Sequence, residues 1–183
     1  MIFTCLYCGL EPRLSQLEDS GTPRIKTILH LIKSSKYSIH DLSRMKSEAA
    51  NELARFNMPF ELGLELGMKS IAGNKMKNKK CLVLDTERHR YHAAISDLSG
   101  SDIASYGKQE QVERLIKVLR DWFTHVVNPK QPPANKVFLE YNEFVSDLQI
   151  ELVAAEFSQR DIDNLSNAEY IHYAGEWVGS RLQ

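Results

Sequence analysis

Apolar positions recur every three or four residues through Ile25, Ile28, Leu29, Leu31 and Ile32, the spacing of one face of a helix. Pro23 stands near its first turn, where a missing amide costs little, and Ser34-Ser35 closes it. Residues 36–39 then read as a strand, and 81–85, Cys-Leu-Val-Leu-Asp, as an apolar run of the kind that fills a central parallel strand. Between them the pattern predicts a helix with Asn57 or Met58 as cap, Pro59 and Glu61 in the first turn, and Phe60, Leu62, Leu64, Leu66 and Met68 as bulk. Residues 1–9 are apolar and close at Gly9, as a helix or strand end would. Residues 11–17 alternate weakly and read as a short strand before a turn-forming run at 18–23. Farther on, 88–95 reads as helical, 96–103 as a turn into an edge strand, and 109–127 as a strongly periodic helix. Pro129, Pro132 and Pro133 break the chain, and two helices follow, 135–156 and 159 to the end. The expected fold is therefore α/β, a doubly wound parallel sheet in residues 1–127 with a helical pair in 134–183.

Composition narrows the partners. The 183 residues, 43% hydrophobic, suffice for one well-packed core and are few for two. A net charge of −1 from 23 basic and 24 acidic side chains supplies no field that would draw nucleic acid or an anionic membrane, so neither is expected. No apolar run approaches the roughly 20 residues of a membrane-spanning helix. The start lacks the basic region of a signal peptide, and the expected location is the cytoplasm. Cys5, Cys8 and Cys81 are an odd number without an export signal, which disfavours a disulfide framework. The Cys5/Cys8 pair has no second ligand pair nearby and reads as buried thiols. His89 and His92 read as surface or packing residues, and no metal site is expected.

Candidate chemistry gathers at the end of the first clear strand. In a parallel sheet, His40, Asp41, Ser43 and Arg44 lie at the carboxyl edge, where open α/β sheets bind ligands. The polar connection up to Arg55 is long for a strand-to-helix link, and long connections at that edge tend to be functional. Glu61 is suited to N-glycosidic chemistry: a carboxylate near an anomeric carbon stabilises an oxocarbenium-like state or bonds to it. Asp41 could hold ribose hydroxyls, Arg44 or Arg55 a phosphate, and Phe56, Phe60 or Tyr91 a base, with Asn57 beside them in the ligand-binding set. Each also has a plain reading. Glu61 would be stabilised by the helix macrodipole, Asp41 and Ser43 would cap a turn, the arginines would pair with surface acids, and the aromatics would be core. Glu65 reads as a solvated helix residue, and Asp97, Ser99 and Asp102 as turn residues.

The segments at 37–44 (Tyr-Ser-Ile-His-Asp-Leu-Ser-Arg), 55–63 (Arg-Phe-Asn-Met-Pro-Phe-Glu-Leu-Gly), 82–85 with Arg90-Tyr91, and 95–103 resemble a group of mostly uncharacterised bacterial proteins related to TIR domains and nucleoside 2-deoxyribosyltransferases. The resemblance covers residues 1–127 and implies a flavodoxin-like, TIR-like sheet. It implies Glu61 as nucleophile and Asp41 as a sugar-holding acid, with NAD or a nucleotide as substrate or ligand and no required cofactor. Members of that group begin with a further strand and helix, so the resemblance also implies that one pocket wall lies upstream of Met1.

Two function classes follow, with a third beside them. The first is an N-glycosidase or glycosyltransferase acting on NAD or a nucleotide, in the manner of TIR-like proteins of anti-phage defence. The second is a non-catalytic nucleotide sensor or protein-interaction module. The third is a truncated inactive copy. Val137, Phe138, Tyr141, Phe144, Val145, Leu148, Ile150, Leu152 and Val153, with Tyr170, Ile171, Tyr173, Trp177 and Val178, exceed what one sheet face requires. They predict a homodimer through the C-terminal helices or, as the plainer reading, cover for an open sheet face.

Overall fold

Pro23 (φ −57°, ψ 124°) gives helix α2, Arg24–Ser34, an extended entry, and Ile28 and Ile32 bury its inner face one turn apart. This computed structural model describes residues 1–15, 21–45, 55–107 and 111–182, preceded in chain order by the short helix α1, Ile2–Tyr7. Strand β1 is Tyr37–Asp41, and a single 3-10 turn, Ser43–Met45, follows it. Helix α3, Asn57–Ala72, leads to strand β2, Lys80–Asp85. Two 3-10 turns, Arg90–Ala93 and Ser96–Leu98, precede strand β3, Ala104–Ser105. The three strands are parallel and lie in the order β1-β2-β3. The fold is α/β with a small open parallel sheet.

Register decides which side chains meet. Ser38 stands opposite Cys81 and His40 opposite Val83. Because side chains alternate along a strand, these four share one face, while Ile39, Asp41, Leu82 and Leu84 point to the other. Helix α3 covers the first face, where Glu65 bonds to both Ser38 and His40. Leu62, one turn earlier, packs with Leu42, Met45, Tyr91 and Leu98, and Val83 and Cys81 lie against that cluster.

The remaining elements are helical: α4, Val112–Val126; α5, Ala134–Ala154; α6, Gln159–Asp163; and α7, Asn167–Arg181. By their contacts the residues form two compact units, Met1–Pro12 with Val112–Gln183, and Arg13–Gln111. This grouping differs from the division at residue 127 expected from sequence, for a packing reason. Phe3 of α1 stacks on Phe144 of α5 (5.2 Å between ring centres) and meets Tyr141 and Trp177. Arg120 of α4 donates from Nε to the Pro132 carbonyl at 2.6 Å and from Nη2 to Gln131 at 3.0 Å, tying the proline-rich link to its own helix. The core of this unit holds Phe3, Ile116, Val137, Phe144, Leu152 and Val178. Leu139, Val145, Ile150 and Val153 on α5 stay exposed. Phe144→Ala should remove about 3–5 kcal/mol by leaving an aromatic-sized cavity. Urea unfolding followed by fluorescence of Trp122 and Trp177, both in this unit, would measure it.

Several local expectations change. Residues 11–15 are irregular rather than a strand, whereas 16–20, the connection at 46–54 and the helix start at 108–110 lie outside the described residues. The apolar start is a helix ended by a Schellman turn: Gly9 adopts φ +78°, its N–H reaches the Leu6 carbonyl, and Leu10 N–H reaches Cys5 at 2.9 Å. The helix expected at 88–95 shrinks to one 3-10 turn because His89 sits at φ +62°, in the left-handed region. The last helix splits in two, since Ser166-Asn-Ala-Glu169 forms a complete capping box that starts α7. Cys5 and Cys8 are free buried thiols, pushed up to about 11 and about 12 chiefly by burial. No helix among the described residues is long and apolar enough to cross a membrane.

Candidate functional site at the carboxyl edge of the sheet

Parallel pairing brings the carboxyl ends of the three strands together, and they carry Asp41, Asp85 and, just beyond β3, Tyr106. Asp41 is half-buried. Its Oδ1 accepts the Ser43 backbone N–H at 3.0 Å, closing an Asx turn, and its Oδ2 accepts the Tyr106 hydroxyl at 3.0 Å. The Tyr106 phenol is pushed up to about 12, first by burial and then by the neighbouring Asp41 and Asp85 charges. It therefore stays a donor. Asp85 is fully buried: Oδ1 accepts Thr86 N–H at 2.7 Å and Arg90 Nε at 2.8 Å, while Oδ2 has no hydrogen-bond partner among the described residues. Arg90 Nη2 also reaches Asp85 Oδ1 and donates to the Leu42 and Ser43 carbonyls at 2.9 and 2.8 Å. One guanidinium thus clamps the exit of β1 to the end of β2.

Glu61 is placed differently from the expectation. Helix α3 begins at Asn57, its N-cap is Phe56 without a side-chain cap bond, and its first turn holds no acid. Glu61 is the fifth helical residue, beyond the turn where the macrodipole acts most strongly. That weakens the helix-stability explanation for an acid here. Its carboxylate is largely buried, 10% exposed, and Oε1 lies 3.5 Å from Arg24 Nη2 of α2, a long contact to a half-exposed side chain. The strand pleat sends Asp41 to the face opposite α3. The two carboxylates therefore come to the strand ends from different sides of the sheet and share no partner among the described residues.

Of the other expected ligand-binding residues, Arg44, Arg55, Phe56, Asn57 and Phe60 are exposed. Arg55 N–H donates to the Arg44 carbonyl at 3.2 Å, which brings the backbones of the two arginines together. Asn57 is exposed, and Phe56 and Phe60, one turn apart, are each 58% exposed. The reading of these rings as core does not hold; Tyr91, 3% exposed, is the core aromatic. Ser43 remains at the strand end beside Asp41.

His40 does not join this edge. Its ring is buried between sheet and α3, with Nε2 3.0 Å from Glu65 Oε2. Glu65, expected in solvent, is fully buried: it accepts from Ser38 Oγ at 2.6 Å, and Lys79 Nζ lies 4.0 Å away. Burial pulls the His40 ring toward neutrality, but the Cys81 and Glu65 contacts outweigh it and raise its pKa to about 9. The Glu65 carboxyl is itself held low by His40, Ser38 and Lys79 against the opposing effect of burial. Sequence reading missed Glu65, Arg90 and Tyr106. Glu65 does fall four residues after Glu61 and three after Leu62, on the stripe that α3 buries, and that spacing was the available signal. In the helical unit, a groove of about 260 Å³ runs between α5 and α7, lined by Phe144, Leu148, Tyr173 and Trp177 with Glu151 and Glu176.

Comparison of the chain with protein-family models, with curated proteins and with solved structures finds no match.

Proposed function

We propose that the sheet-containing unit binds NAD or a nucleotide at the carboxyl edge of its strands and acts on the N-glycosidic bond through Glu61. The single observation that carries this reading is the exposure of Phe56 and Phe60, which precede Glu61 in the chain and follow Arg55, itself bonded through its backbone to Arg44. Two rings left in water at a helix start contribute little to folding, and they offer a stacking surface for a base near guanidinium groups suited to phosphate. We further read β1-β2-β3 as one wing of a doubly wound sheet, since consecutive strands in sequential order are what lies to one side of a switch point.

In this reaction the bond from anomeric carbon to base breaks with its electron pair leaving on the base. Positive charge builds on the sugar, and Glu61 stabilises it electrostatically or by forming a glycosyl ester that water then hydrolyses. Arg24, at 3.5 Å and half-exposed, keeps the carboxylate oriented and is free to yield to the sugar. Asp41, fixed by Ser43 and Tyr106, presents its remaining acceptor sites toward ribose hydroxyls from the other side of the edge.

Incubation with NAD and a panel of nucleosides, with chromatography of the released base, tests this. The wild-type chain should release base, and Glu61→Gln should slow release by about 10²–10³. Tight binding by calorimetry without release would favour the nucleotide-sensor reading. Neither binding nor release would remove both.

A further inference from the structure

We propose that His40, Glu65 and Cys81 form a binding site for a divalent metal ion of the zinc class. The three residues come from β1, α3 and β2, and one ligand atom from each lies within 4.8 Å of the others. Register explains the grouping: Cys81 and His40 are diagonal neighbours on the face that α3 covers, and Glu65 descends onto them. Bond lengths of about 2.0–2.3 Å to a tetrahedral zinc set its ligand atoms roughly 3.3–3.8 Å apart, so shifts on the order of 1 Å close the set.

His40 Nε2, 3.0 Å from Glu65 Oε2 in a side chain only 7% exposed, is the ring nitrogen placed to share an ion with that carboxylate. The donor set of imidazole, thiolate and carboxylate is that of zinc rather than magnesium or calcium, which take oxygen ligands. Thiolate and carboxylate balance the two charges of the ion. Lys79, the other cation beside Glu65, is held by the Ser35 carbonyl at 2.9 Å. Binding releases to solvent the protons carried by His40 and the Cys81 thiol. Half-buried Cys81 is the most accessible member and leaves room for water as fourth ligand. This inference does not depend on the glycosidase reading.

The full-length chain, stripped with chelator and exchanged into clean buffer, is titrated with Co²⁺. One equivalent should produce near-ultraviolet thiolate-to-cobalt absorption that Zn²⁺ displaces. Cys81→Ser should abolish the absorption, and His40→Gln should weaken binding by more than about 10-fold. A Cys5→Ser/Cys8→Ser double variant should leave it unchanged. Alkylation mapped by mass spectrometry needs no variant: Zn²⁺ should slow modification of Cys81 in the wild-type chain at least 10-fold, by about the same order as ligand occlusion requires. Absorption that survives in Cys81→Ser, absorption that vanishes with Cys5 and Cys8, or Cys81 alkylation indifferent to Zn²⁺ would each overturn the site.

Discussion

Glu65→Gln should destabilise the sheet-containing unit by about 3–5 kcal/mol, because removing one member of a buried charged group leaves the others uncompensated. The carboxylate is fully buried and serves Ser38 Oγ at 2.6 Å, His40 Nε2 at 3.0 Å and Lys79 Nζ at 4.0 Å. Burial already pulls Lys79 toward its neutral form, and Glu65 is what offsets that pull. The same contacts give metal-free protein a characteristic pH profile. The His40 pKa is raised from 6.5 to about 9 on folding, so its stabilisation is complete below about 6.5 and is lost as pH rises through about 9. The Glu65 pKa is lowered from 4.5, so its contribution is present above 4.5 and is lost as pH falls through the lower folded value. Stability from this pair should therefore be greatest between about pH 4.5 and 6.5. In Glu65→Gln the alkaline decline should shrink and move to lower pH, because only the Cys81 contact is then left to oppose desolvation of the charged ring. Both tryptophans lie in the helical unit, so the readout is amide hydrogen exchange at Leu82 and Leu84 in chelator at pH 5.5 and 9.5. An unchanged alkaline decline in the variant would refute the assignment to His40.

Arg90→Ala should cost a similar amount, about 3–5 kcal/mol, for a different geometric reason. Asp85 is 0% exposed and its Oδ1 depends on Arg90 Nε at 2.8 Å, while the same guanidinium supplies donors to the Leu42 and Ser43 carbonyls. Lysine would not rescue the variant, since one ammonium cannot reproduce a fork that spans a carboxylate and two carbonyls. An Asp85→Leu/Arg90→Met pair should recover most of the loss by removing both charges together. Exchange protection of the Tyr106 amide, which bonds to the Asp85 carbonyl at 3.2 Å, reports directly on this joint. If Arg90→Ala leaves that protection unchanged, the clamp does not hold the strand ends.

Much of the fold is readable locally because its signals are local. The apolar run 81–85 became β2, and Pro132-Pro133 set the start of α5 to within two residues. The segments 37–44 and 55–63 carry Arg44, Arg55, Phe56 and Phe60, all of which are exposed. The misplacements have physical causes. Glu65 looked like a solvated helix residue because hydropathy patterns register a carboxylate as outward, and its partners Ser38 and His40 lie 27 and 25 residues away. His40 looked like a strand-tip ligand because its neighbour Asp41 does sit at the tip, and a shift of one residue reverses the face.

By itself, the sequence determined the longer helices and the strands β1 and β2, where Pro23 and Pro133 start helices and Gly9 stops one, and that an acid, a hydroxyl and guanidinium groups follow the first strand. These depend on periodicity and backbone chemistry within a few residues. Tertiary structure alone decided that α1 and α4 belong with the C-terminal helices, that Asp41 and Glu61 approach the edge from opposite faces, and that His40, Glu65 and Cys81 meet. Those outcomes rest on strand register and helix docking, which couple residues far apart in the chain and leave no local trace.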